Sequence, residues 1–455
     1  MVDAPQNTEA DLYRIILFAS GGAELLVLPE NGRLRLPTLG IPKHQRVARN
    51  LTASMRCEWF QEAVCLFCLD STPTSSEARY QVMESCEESP PHAAGSRWVS
   101  VSSLEESQFE EAADYAAVAK SFAACKEYAG GRTHGPFARL GWFAELIAWV
   151  HDEIRTEGLT LSGRFSQLNS SPTFSLVRFE TNGPAVWFKA VGAPNVREFR
   201  ISRNLARLLP RFVPRMLAVR EDWNAWLSAE AEGTQPDQNS DLSSWTMVAT
   251  ALADLQIASL GNTLHLIDAG CRDVRACTLG RLVDPFFEVM AELMDRQTKD
   301  SPAPLSRKEL TALGAQLKDA VSRYQDLEIH NTLGHLDFNP GNIIASEGRC
   351  VFLDWAEAYA GPPFLTFEYL REHLRRLRHQ DSSCEAALVD AYSRNWQCFL
   401  SPAKITGALA LSPLLAVFAY AASGAAWRDE TRRCDQPTAG YLRSLTRRVK
   451  REAEH

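Results

Sequence analysis

The sequence predicts an α+β protein with more than one domain, and three observations lead there. The chain has 455 residues, more than one hydrophobic core usually organises, so two or three domains are expected. Two β-rich apolar runs, FSLVRFET and AVWFKAV, flank Asn182-Gly183-Pro184, and Asn-Gly between such runs signals a hairpin. Beyond the polar break GTQPDQNSDLSS the pattern is mostly helical to Glu454, interrupted around Gly334–Pro363.

The elements follow in order. YRIILF and ELLVL read as strands joined by the turn ASGG, and EAVCLFCL as a further strand. The stretch from Asp70 to Ser96, rich in Ser, Pro and Glu, reads as a long loop. FEEAADYAAVAKSFAAC has helical composition. Gly130, Gly131 and Gly135 then punctuate the chain. Residues 1–130 are therefore set apart as an α/β domain, and 131–157 as a connecting helix built on FARLGWFAELIAWVHDEI. After the hairpin, NVREFRISRNLARLL is bounded by Pro194 and Pro210, as a helix should be. FVPRMLAV and AWLSAEAEG follow as strand-like runs.

Composition narrows the function. Hydrophobic residues make up 45% and charged residues 23%, the balance of a soluble globular protein. A net charge of −8 argues against nucleic acid, whose phosphates need a basic face. The N-terminal MVDAPQNTEADLYR lacks the basic and apolar regions of a signal peptide. The longest apolar run, Ala408–Trp427, is interrupted by Pro413, two serines and Gly424 and reads as a buried core helix rather than a membrane span. The 11 cysteines show no framework spacing; Cys65 and Cys68 have metal-ligand spacing, but no second pair follows. A cytoplasmic protein with buried thiols is the expectation.

The polar groups that carry chemistry lie in GHLDFNPGNII, Gly334–Ile344, and CVFLDWAEAYAGPP, Cys350–Pro363. Asp337 and Asn342 stand five residues apart, and Asp354 follows the apolar strand Val351–Leu353. EGR between them is a plausible hairpin turn that brings the three together. Phosphoryl transfer needs these residue types: a carboxylate to orient and deprotonate the attacking hydroxyl, and oxygen ligands for Mg²⁺. An Asx-rich loop that only satisfies its own backbone is the alternative for Asn339 and Pro340.

These two stretches resemble the signature of the aminoglycoside phosphotransferase and choline kinase group, whose fold is protein-kinase-like. The resemblance implies a bilobal phosphotransferase, with an N-terminal lobe over 158–232 and a mostly helical C-terminal lobe over 233–455. It implies ATP and Mg²⁺ as cofactors, Asp337 as catalytic base, Asn342 and Asp354 as metal ligands, and a supporting role for buried His335. Upstream it implies Lys189 on a strand as the phosphate-contacting lysine, paired with Glu198 on the next helix. A water-facing edge-strand lysine is the alternative, and Glu221 could compete with Glu198. Ser228–Glu232 would hold the adenine, with Ser228 and Glu230 as named candidates. SQLNSSPTFSL occupies the place of the phosphate loop, with Ser170, Ser171 and Thr173 as candidate contacts or as an ordinary turn. Gln256 would only pack.

The front part faintly resembles a Nudix-type α/β domain, yet the helix region GIPKHQRVARNLTASMRCEW lacks that family's acidic metal ligands apart from Glu58. The expectation is an ATP-dependent kinase of a small hydroxylated molecule, aminoglycoside-like, amino-sugar or other alcohol, with no nucleic-acid or membrane partner. A non-catalytic nucleotide-binding sensor is the alternative, and the retained Asp337, Asn342 and Asp354 argue against it.

Overall fold

The computed structural model describes residues 10–69, 79–87, 95–129, 136–237, 240–377 and 382–454. It forms two compact units: Met1–Phe199 with Arg215–Glu230, and Arg200–Pro214 with Ala231–His455.

The first unit opens with a mixed seven-stranded sheet. Its strands are β1 (Ala10–Phe18), β2 (Glu24–Glu30), β3 (Arg33–Arg35), β4 (Thr38–Pro42), β5 (Ala63–Cys68), β6 (Arg79–Ser85) and β7 (Arg97–Ser100), with helices α1 (Val47–Trp59) and α2 (Ala112–Ala129). The main path runs β3-β2-β1-β6-β5, with β4 on β1 and β7 on β2. Strand periodicity divides β1 between two cores. Ile15 and Leu17 join Ala48, Leu51 and Met55 of α1, whereas Ile16 and Phe18 face the opposite side with Val118 and Cys125 of α2. The sequence reading of Asp70–Ser96 as a loop missed β6, which pairs in parallel with β1 from Tyr13↔Arg79 to Phe18↔Glu84. Val82 and Met83 are buried on its two faces, so long-range pairing makes a strand of a run too short to announce itself. Residues 70–78 and 88–94 of that stretch, and the glycine break, lie outside the described residues.

Helix α3 (Trp142–Ile154) follows, beginning where Gly141 adopts φ 82°. Then comes a five-stranded antiparallel sheet, β8 (Leu161–Ser171), β9 (Phe174–Thr181), β10 (Val186–Ala190), β11 (Met216–Arg220) and β12 (Ala225–Ala229), in the order β11-β12-β10-β9-β8, with α4 (Arg197–Leu208) between β10 and β11. The expected hairpin pairs Val186 with Phe179. Divisions at residues 130 and 157 do not coincide with the boundaries of this unit. Trp142, Phe143, Leu146, Val150 and Ile154 of α3 join Phe18 and Val64 of the front sheet and Phe165, Val177 and Phe188 of the second sheet in one core. Rather than a linker, α3 is a buried wedge, with Phe143 and Phe165 ring centroids 4.5 Å apart.

The second unit is mainly helical: α5 (Leu242–Ala258), α6 (Thr263–Asp268), α7 (Ala276–Asp295), α8 (Arg307–Asp326), α9 (Phe364–Leu377), α10 (Ser382–Trp396), α11 (Pro402–Ser423), α12 (Glu430–Cys434) and α13 (Gln436–Ala453). Five short strands position its chemistry: β13 (Arg272–Asp273), β14 (Thr332–His335), β15 (Ile343–Ser346), β16 (Arg349–Phe352) and β17 (Ala358–Gly361), arranged as a three-stranded β13-β17-β14 sheet and the β15-β16 hairpin. Helix α11 is long and apolar enough to cross a membrane, but Ile405, Ala408, Leu415, Phe418 and Ala422 pack into this unit's core. Gln256 on α5 does more than pack: its amide donates to the Pro363 carbonyl at 2.7 Å and accepts from the Tyr392 hydroxyl at 2.6 Å.

Candidate active site

Strand β14 ends at His335, and its pairing with β17 explains the residues of GHLD. Gly334 lies opposite Tyr359, where a Cβ would fall 2.0 Å from the ring, so no side chain fits. Leu336 and Phe338 are buried, which turns Asp337 between them outward to solvent. His335 is buried and bridges the site. Its Nδ1 accepts from the Asp337 N–H at 3.0 Å, which leaves Nε2 to donate to the Asp354 carbonyl at 2.8 Å. Burial pushes its imidazole below the usual range, against the opposing pull of the Asp354 and Asp337 carboxylates. A neutral histidine with a single tautomer therefore ties Asp337 to Asp354.

The intervening turn completes the loop. The Asn342 amide nitrogen donates to the Asp337 carbonyl at 2.9 Å and reaches a carboxylate oxygen at 3.4 Å, while that of Asn339 donates to the other carboxylate oxygen at 3.0 Å. Two amides thus orient the Asp337 carboxylate, and the Asn342 amide oxygen remains as a ligating atom. The Leu353 N–H donates to the Asn342 carbonyl at 2.8 Å, and β15 pairs with β16 from Ile343↔Phe352 to Ser346↔Arg349 through the turn at Glu347-Gly348. The expected EGR hairpin therefore brings Asn342 to the segment that carries Asp354. Asp354 is exposed and holds φ 60°, ψ 62° at the head of a short 3₁₀ turn, a left-handed conformation uncommon outside glycine, and one that aspartate tolerates better than most residues.

An outward carboxylate and a neutral amide oxygen on adjoining segments are the oxygen donors that Mg²⁺ takes, with water and phosphate filling the remaining positions. Among the described residues no group of three or more His, Cys, Asp or Glu could hold a metal alone. Cys65 is buried and Cys68 exposed.

In the first unit Lys189 lies on β10, an interior strand, not the edge strand that would leave it facing water. Phe188 and Ala190 face the core, so the lysine projects from the opposite side, with its Nζ 5.8 Å from the Trp226 ring centroid. It meets Glu198 of α4 at 2.5 Å, with side chains 15% and 2% exposed. Glu221 instead belongs to a 3₁₀ turn after β11.

The hinge candidates sit differently. Ser228 is a ladder residue of β12 opposite Trp187 and Met216. The Glu230 N–H donates to Ala185 at 2.9 Å, and its carboxylate accepts from Arg178 at 2.7 and 3.0 Å. That guanidinium holds the carboxyl below its usual range. Glu230 is thus a brace of the sheet. In the phosphate-loop candidate, Ser171 Oγ accepts from the N–H groups of Thr173 and Phe174 at 3.3 and 3.0 Å, and the Ser170 hydroxyl is donated to Cys65 at 2.8 Å.

Sequence reasoning missed one support. Thr234 and Ala345 exchange backbone hydrogen bonds at 2.9 Å, and Gln235 donates to the Gly341 carbonyl at 2.8 Å. A Cβ at Gly233 would lie 2.3 Å from the Ala345 oxygen. The only local signal was a glycine opening the polar stretch GTQPDQ.

Residues 193–399, 207 of the 455, match the profile of the phosphotransferase enzyme family (APH). The matched segment is somewhat less than half of the chain. It contains Glu198, Asp337, Asn342 and Asp354, whereas Lys189 precedes it. Among solved structures the chain is similar to choline kinase LicA from Streptococcus pneumoniae (15% identity, 68% of this chain and 100% of that one, TM-score 0.45). It is also similar to an ethanolamine kinase from Plasmodium vivax (12%, 66% and 83%, 0.44) and to macrolide 2'-phosphotransferase MphH from Brachybacterium faecium (14%, 66% and 97%, 0.40). No curated protein matches the chain by sequence.

Proposed function

We propose that the protein is an ATP-dependent kinase that phosphorylates a hydroxyl group of a small molecule, with Asp337 as the catalytic base. The carrying observation is the His335-centred arrangement, in which an exposed Asp337 carboxylate is oriented by two asparagine amides and linked through a neutral histidine to Asp354. Asp337 would align the acceptor hydroxyl and take its proton as the oxygen attacks phosphorus. The Asn342 amide oxygen and the Asp354 carboxylate would hold magnesium, which when bound offsets the charge of the transferring phosphoryl group. Lys189, kept in place by Glu198, would contact the nucleotide phosphates. With the N–H of Glu230 committed to the sheet, the adenine contacts within 228–232 would fall to Ala231 and Glu232.

The front sheet, with α1 on one face and α2 on the other, suits a Nudix-like layer arrangement; α1 carries Glu58 as its only carboxylate, so a scaffolding role is the reading for this part. The acceptor class is open to aminoglycosides, amino-sugars and other alcohols, and a cytoplasmic location is part of the proposal. The test is Mg·ATP-dependent release of ADP across panels of those acceptors. Release in the wild type that disappears in Asp337→Asn is expected; no stimulation by any panel would count against the reading.

A further inference from the structure

Among the described residues β5 is at the edge of the front sheet, and an edge strand leaves backbone groups without a neighbouring strand. At Cys65 its register with β6 slips. The Cys65 N–H is taken by the side chain of Gln167, at 2.7 Å to Oε1, and the Gln167 amide nitrogen donates back to the Cys65 carbonyl at 3.1 Å. The glutamine thus imitates a paired peptide. It is fully buried, on the inward face of β8 two residues after Phe165. Three residues on, the Ser170 hydroxyl donates to the same Cys65 carbonyl at 2.8 Å and reaches Leu66 at 3.4 Å. Directly after Ser170 comes the β8–β9 turn, closed by Ser171 accepting from Thr173 and Phe174. On its other side the turn meets Gly192, where a Cβ would lie 2.2 Å from Thr173. A loop without glycines, closed on itself and fastened at two points, has little freedom to find a ligand by moving.

We infer that Gln167 and Ser170 are positioning residues for nucleotide phosphates: through them β5 of the front sheet holds the β8–β9 turn where ATP binds. The inference rests on the kinase reading above. It gives the front sheet a task within the kinase, that of a fixed strut in place of a mobile glycine-rich loop. Simply covering an exposed sheet edge would account for Gln167, but not for the second attachment by Ser170 at the start of the turn. Loss of either attachment loosens the turn and weakens contacts to the β- and γ-phosphates. Adenosine contacts, made elsewhere, are unaffected.

The experiment measures dissociation constants of the full-length protein for Mg·ATP and for AMP, beside the melting temperature and amide exchange at 170–175. Ser170→Ala and the volume-matched Gln167→Met should each weaken Mg·ATP about five- to tenfold, leave AMP within about twofold, and speed exchange at the turn. Ser170→Thr, which keeps the hydroxyl, should restore both. The double variant should lose less than the product of the single losses, because both act on one turn. If Gln167→Met does not fold, the Ser170 pair decides the matter alone. Variants that bind Mg·ATP like the wild type would overturn the inference and leave the kinase reading intact. Equal losses for ATP and AMP would assign the attachments to general stability and also overturn it. A wild type that binds no Mg·ATP would overturn the kinase reading and the inference with it.

Discussion

The Lys189–Glu198 pair allows a prediction whose size follows from its surroundings. Both side chains are largely out of water, 15% and 2% exposed, and 2.5 Å apart. Glu198→Met removes the buried carboxylate from the ammonium near Trp226, and Lys189→Met removes the ammonium from the buried carboxylate. Breaking a buried pair from one side costs roughly 3–5 kcal/mol. Residual solvent at the lysine places the expectation near the lower end, about 3 kcal/mol. For a unit of roughly 200 residues that corresponds to a fall in melting temperature of about 6–12 °C. Lys189→Met/Glu198→Met removes both charges and leaves two apolar side chains of similar length, so most of the loss should return, a coupling of about 2–3 kcal/mol. The assay is a four-protein cycle on the full chain, by urea unfolding and by hydrogen exchange at the β10 amides. The double variant should nevertheless bind Mg·ATP at least about tenfold more weakly than the wild type, because the charge proposed to meet phosphate is gone. Single variants within about 0.5 kcal/mol of wild type, or a double variant whose loss is the sum of the singles, would refute the argument that these charges depend on each other.

Three further outcomes are expected. Asp337→Asn should lower turnover by about a hundredfold or more with Mg·ATP affinity nearly unchanged, whereas Asp354→Asn should weaken Mg·ATP itself, read by steady-state kinetics beside calorimetry. Gly334→Ala should cost roughly 2–3 kcal/mol in unfolding free energy, because the added methyl meets the Tyr359 ring. Glu84 is buried in β6 and accepts from the Gly141 N–H at 2.8 and 2.9 Å; desolvation pushes its carboxyl up to about 7. The folded state therefore holds this proton more tightly than the unfolded chain, so the stabilising contribution is complete below the unfolded value of ~4.3 and is lost as pH rises to about 7, by up to about 3–4 kcal/mol. Glu84→Gln should flatten the stability profile across that window, and an unchanged slope in pH-stepped unfolding would show that the group does not titrate there.

The stretch proposed as catalytic was legible because its determinants are local. Asp337, Asn342 and Asp354 sit at fixed spacings on a turn and a hairpin whose alternation of buried and exposed residues is written in GHLDFNPGNII and CVFLD. The Asn-Gly hairpin and the helix after Pro194 were legible for the same reason, as was the lysine inside AVWFKAV. The hinge candidates were only half legible: sequence marks 228–232 as a strand end, but which backbone groups the sheet uses depends on pairing with Ala185 and Arg215. Strand β6 escaped notice because seven residues of mixed polarity become a strand only when β1 and β5 pair with them.

By itself, then, the sequence determined the residue types and spacings of the proposed phosphotransfer site and the order of the elements that bear it, because periodicity, turn chemistry and a short motif act within about one element's length. Tertiary structure alone decided that the front sheet, α3 and the second sheet share one core, that Gly334 makes room for Tyr359, and that a glutamine on β8 completes the edge of β5. Each of these rests on groups far apart along the chain, such as Cys65 and Gln167, whose apolar faces and unpaired hydrogen-bonding groups find each other only when the chain is folded.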